Sequence, residues 1–322
     1  MTATHPTATT NLTPTLSRGP RRTGPLLRIA PAAATLGAIL AGGAAVLALA
    51  TGRGADDSAI FPPPWLGLVG AGLLGIALVL GWLSPGRSAQ AASWTAAAVL
   101  LGASGGVVLD GFRAFFAVTG IPAGDFAEVD LPGAVARLSA LGASFGAIQL
   151  ARRARLDGGS AQRPVTARSR RIVRVLGLLL CLPYPLLKLV WWWQGEDSAY
   201  TVGFPAMEFA LFGLAAVVLI GLTASRTPAV ARVPLLVAGW GGAFAPLSMG
   251  ALMVFGVLAQ ATGLATSPLT LGDPSRIILV AAVYGTWLLL GVVLAAATVL
   301  YGEARPARGV RGRSDETSRG AE

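Results

Sequence analysis

The chain has 322 residues, 54% of them hydrophobic and only 12% charged, with a mean hydropathy of +0.66. Soluble domains carry about 25% charged residues, and a larger core cannot explain the deficit because a surface must still be covered, which excludes a soluble globular domain. The net charge of +10 does not indicate nucleic acid, because the basic residues fall between apolar segments rather than on one face.

In chain order, residues 1–25 form a Thr/Pro-rich stretch with few apolar side chains, which cannot bury a core and is expected to be disordered. A bilayer core needs about 20 apolar residues of helix. Eight segments meet that need: 29–50, 65–83, 91–110, 131–151, 172–193, 204–224, 233–259 and 277–301. Residues 152–171 form an Arg-rich linker between the first half (26–151) and the second (172–302), and 303–322 is a second disordered tail. Arg21-Arg22 and Ala48-Leu49-Ala50 imitate a secretory signal and its cleavage site. The apolar run between them exceeds the roughly 7–15 residues of a signal core, so the first helix is expected to be retained.

Arginine orients the spans, since short cytoplasmic loops collect Lys and Arg. With the N-terminus inside, 20 arginines lie on the cytoplasmic side. Three, Arg53, Arg113 and Arg276, lie outside, where Asp and Glu gather. Both termini are therefore expected in the cytoplasm of a cell whose plasma membrane the chain crosses.

The two halves share a spacing. Adding 143 to the first four spans lands on the last four, and Phe61-Pro62, Pro85, Thr119-Gly120 and Asp130 map onto Phe204-Pro205, Pro228, Thr262-Gly263 and Asp273. The spacing suggests a duplication, and four spans per half make it a parallel one. Gly102 with Gly106, Gly142 with Gly146, and Gly67, Ala71 and Gly75 carry the four-residue spacing of close helix contacts.

Ionisable residues inside spans cost about 2.5–3.5 kcal/mol on insertion scales and mark candidate sites. Lys188, five residues from the end of the fifth span, and Glu208, four residues into the sixth, lie at matched depths and can pair. Asp110, closing the third span, Arg113 and Arg137 repeat the pattern in the first half. Trp191-Trp192-Trp193 sits at an interfacial belt position. Pro183 and Pro185, with Tyr184 between them, break the fifth span, and Gly239, Gly241, Gly242 and Pro246 are expected to break the seventh. These features outline an outward-opening pocket between the fifth, sixth and seventh spans, lined by Lys188 and Glu208 and walled by Tyr184 and Trp192.

The chain has one cysteine, Cys181, and one histidine, His5, in the tail. Haem, di-iron, zinc-protease and His-relay chemistries lack their ligands, so neither a metal nor a cofactor is expected. No GxxxxGK[ST] loop occurs, which argues against ATP hydrolysis, and the paired Asp-rich motifs of membrane prenyltransferases are missing. The stretch Pro183-Tyr184-Pro185-Leu186-Leu187-Lys188-Leu189-Val190-Trp191 resembles a segment of uncharacterised polytopic membrane proteins of high-GC actinobacteria. That resemblance covers one helix and implies no activity.

The reading is an all-α membrane protein of eight transmembrane helices whose partners are the lipid bilayer and a small organic or lipid-like solute. Three functions fit. The first is transport or binding of that solute. The second is a metal-independent enzyme on a lipid or prenyl-type substrate, with Glu208 or Asp110 as acid. The third is an accessory unit serving a membrane partner subunit.

Overall fold

The computed structural model describes residues 25–52, 61–158, 166–195, 203–225, 227–262 and 274–303. Residues 1–24 and 304–322 of the tails, residues 159–165 of the Arg-rich linker and the landmarks Asp273 and Gly263 lie outside these residues. Everything regular among the described residues is helical. Eight helical stretches are long and apolar enough to cross a bilayer, which makes this a multi-pass membrane protein.

The first span is α1 (Pro25–Ala50), the second α2 (Trp65–Leu83) and the fourth α5 (Leu131–Asp157). The sixth is α8 (Ala206–Thr223), the seventh α9 (Arg232–Ala261) and the eighth α10 (Pro274–Glu303). The third and fifth spans are each built from two helices: α3 (Arg87–Ala103) with α4 (Val107–Thr119), and α6 (Ala167–Leu180) with α7 (Pro183–Trp193). Large apolar side chains such as Ile39, Val79, Leu214 and Val217 are exposed around the outside. In a membrane that exposure is solvation by lipid, because acyl chains are as apolar as Leu.

The break in the fifth span falls where its prolines predict. Cys181 and Leu182 interrupt the helix, and α7 restarts with Pro183 in its first turn, where a missing N–H costs nothing. The seventh span departs from expectation. α9 runs unbroken through Pro246. Residue 242, whose carbonyl faces the ring of Pro246, is glycine, so the preceding turn can give way without breaking. The second break lies in the third span, at Ser104, Gly105 and Gly106. Gly106 is left-handed, with φ +91°, and starts α4. The third span therefore extends to Thr119, and Asp110 stands in the first turn of a new helix instead of closing the old one.

Each half has its own core. Ala34, Leu74, Leu100, Ala143 and Ile148 anchor the first; Leu219, Leu222, Leu290, Leu294 and Tyr301 anchor the second. Within each half, consecutive spans touch and the last returns to the first, closing a ring. Glycines set the closest crossings: Gly37 lies against Ala143 and Gly146 against Ala34 between α1 and α5, and Gly250 meets the Leu288 backbone between α9 and α10. Gly142 and Gly75, marked by spacing as contacts, have nothing within 4 Å, and Gly106 serves the break rather than a helix crossing.

At the basic end of the bundle, arginines cap helix ends. The Arg174 guanidinium donates to the hydroxyl and the carbonyl of Thr223 at 2.9 and 2.8 Å, meeting the negative end of α8. Arg153 donates to the Arg28 carbonyl at 3.2 Å and joins α5 to α1.

Candidate functional site

The candidate residues form two clusters, one in each half, at the acidic end of the bundle.

In the first half, α4 brings Asp110 and α5 brings Arg137 into a two-pronged ion pair. Nε of Arg137 donates to one Asp110 oxygen at 2.6 Å and Nη2 to the other at 2.8 Å. Asp130 stands 3.7 Å from the same guanidinium. It also caps α5, accepting the Gly133 N–H at 3.1 Å with Pro132 in the first turn. All three side chains are more than nine-tenths buried. The guanidiniums of Arg137 and Arg113 share the ring of Phe61, at 4.6 and 5.2 Å from its centre. Phe61 in turn rests on Gly106, where a Cβ would strike the ring. Beside the pair is a cavity of about 10 Å³, lined by Pro62, Pro63, Ala103, Gly133, Ala136 and Arg137. It has room for about one water.

In the second half, Lys188 is 7% exposed. Its ammonium lies 5.8 Å from the centre of the Tyr184 ring and 5.6 Å from that of Trp191. Residues 184, 188 and 191 share one face of α7, because four and seven residues return close to the same angle of a helix. Tyr184 packs edge-on against Trp287 at 4.7 Å, and against Phe212 at 5.6 Å and Tyr284 at 5.9 Å. The buried Trp287 Nε1 has no hydrogen-bond partner among the described residues, a vacancy that costs about 1–3 kcal/mol. Glu208 stands half-buried on α8, a helix that touches α7. Lys188 and Glu208 are not among the ion pairs within 4.0 Å of the described residues.

Two features differ from the sequence reading. The eighth span, through Tyr284 and Trp287, stands beside Tyr184 where the seventh was expected as the third side of the pocket, and Trp240 and Phe244 of the seventh instead face Phe145 of the first half. Trp191, not Trp192, stands beside Lys188. Trp192 turns outward to meet Phe204 at 5.4 Å, and Phe204 stacks on Phe209.

Sequence reasoning missed Phe61, Phe212, Tyr284 and Trp287. Only the seven-residue step from Tyr184 to Trp191 carried a usable signal. Phe61 acts from a loop, and the other three sit on helices without distinctive periodicity. No group of three or more His, Cys, Asp or Glu side chains suited to a metal occurs among the described residues. Comparison with protein-family models, curated proteins and solved structures gives no match, so the chain's own residues carry the functional reading.

Proposed function

We propose that this protein binds a small organic or lipid-like solute from the outer side of the cell membrane and transports it. The observation that carries the reading is the second-half cluster: a buried ammonium flanked by two rings, an indole N–H in the same aromatic cluster with no partner among the described residues, and a carboxylate on the next helix. A charge placed where burial is costly, beside an unused donor, suits recognition better than packing. A solute with an acceptor oxygen would satisfy Trp287 Nε1 while its apolar part lies on Tyr184 and Phe212.

Arginine bias supports the sidedness, with the acidic end outside. Matching rings of contacts in the two halves support a parallel duplication, as the 143-residue spacing does. For the enzyme alternative, both Asp110 oxygens are occupied by Arg137, which leaves Glu208 as the available acid.

Reconstitution into liposomes tests the proposal. Wild-type protein should accumulate at least one member of a panel of organic anions, zwitterions and short-chain lipids, and Lys188→Met should abolish that uptake. New products found by mass spectrometry in lipid extracts, without flux, would favour the enzyme. Neither result would leave the accessory subunit.

A further inference from the structure

The two cores meet along a narrow seam. It runs between α3 and α4 on one side and α9 on the other, the third and seventh spans, which the 143-residue spacing makes counterparts. Ser104 lies 17 residues from the start of α3 and Ser248 lies 16 from the start of α9, so they meet at one depth. The Ser248 hydroxyl donates to the Ser104 carbonyl at 2.9 Å, meeting a carbonyl at the break of the third span. A Cβ on Gly105 would lie 3.1 Å from the Leu252 backbone and 2.9 Å from the Pro62 ring, so the two segments approach closely there. Toward the basic end, the seam is a stack of rings, with Phe145 edge-on to Trp240 at 5.0 Å. Trp240 is a partly buried second-half side chain packed against the first core. No ion pair among the described residues crosses the seam.

We infer that the contact of Ser104 and Gly105 with Ser248 and Leu252 is a pivot, about which the two four-helix halves rock as separate bodies. Two cores that share little surface can rotate without either being repacked, and interfaces of this kind permit relative motion by default. A contact made of one hydroxyl-to-carbonyl hydrogen bond and one close approach of a glycine to a neighbouring backbone tolerates a change of angle better than interlocked side chains do, because packed side chains resist continuous deformation. The flanking ring contacts are edge-to-face and can slide. The inference goes beyond the solute site and does not depend on it.

Distances between spin labels test it, in full-length protein carrying Cys181→Ala and reconstituted in lipid nanodiscs. One labelled pair, Leu83→Cys with Val233→Cys, spans the seam at the basic end. The other, Val118→Cys with Leu258→Cys, spans it at the acidic end. All four residues are exposed. A pivot requires two distance populations at each end, the longer at one end occurring with the shorter at the other. Ser248→Ala should change their ratio, and Gly105→Val, which wedges a branched side chain against the Leu252 backbone, should leave one population. A single distance at each end, unchanged by Ser248→Ala, would overturn the pivot, as would both ends opening together. Solute flux with single distances would remove the pivot and keep the transport reading. Two populations without flux would do the reverse.

Discussion

Asp110 and Arg137 lie 27 residues apart in sequence, on different helices, yet meet through two hydrogen bonds of 2.6 and 2.8 Å inside the first four-helix half. The pair ties the broken third span to the fourth, and the Phe61 ring covers the guanidinium. Removing one partner of a buried pair strands the other charge and costs about 3–5 kcal/mol. Asp110→Asn and Arg137→Met should each lower the melting temperature in detergent. Arg137→Met should lower it more, because it strands both Asp110 and Asp130. The double variant should lose clearly less than the sum. Strictly additive losses would show that the contact contributes no coupling.

The eight spans were legible because bilayer thickness imposes a length and apolarity on each helix that no other feature of this chain mimics. The break at Pro183 and Pro185 was legible because proline acts through its own missing N–H and its ring. Pro246 showed the limit of that rule, since the glycines before it absorb the strain and α9 continues. The break at Gly106 was hidden because glycine is common inside membrane helices. Only the left-handed backbone and the Phe61 ring above it reveal its role. The charged site residues stood out in sequence because charge in a span is costly. Their aromatic partners did not, because an aromatic residue in a span is ordinary.

The break itself is open to test. Gly106 has φ +91° and the Phe61 ring where a side chain would begin. Gly106→Ala should cost about 1–2 kcal/mol for the left-handed backbone, and more for the displaced ring. Phe61→Ala in the same chain should recover only the second part. Thermal melting of the two single variants and the double variant separates these contributions. No loss in Gly106→Ala would place the break elsewhere.

Lys188 should behave as a site residue rather than a structural one. Its burial is unfavourable to the charged head, and Met keeps its length without the charge. Lys188→Met should hold the melting temperature within about 3 °C of wild type, a shift worth roughly 1 kcal/mol or less, while solute uptake falls at least tenfold, on the order of 1.4 kcal/mol. A large drop in melting temperature together with uptake would assign Lys188 to the fold.

The proposed sidedness rests on the arginine bias alone and can be read with reporter fusions. Fusions at the C-terminus and within 155–170 should report cytoplasm. Fusions within 54–60, 122–128 and 196–200 should report the outer side. A cytoplasmic signal from 196–200 would reverse every span from the fifth onward.

The most direct test of the proposed site uses the fact that Cys181 is the only cysteine in the chain. In a Cys181→Ala background, Lys188→Cys introduces a single thiol between Tyr184 and Trp191. A membrane-impermeant thiol reagent added to intact cells should label it. Val217→Cys, at an exposed apolar position on α8, should stay unlabelled. Labelling of Lys188→Cys only after the cells are opened, or not at all, would contradict an outward-facing site at Lys188.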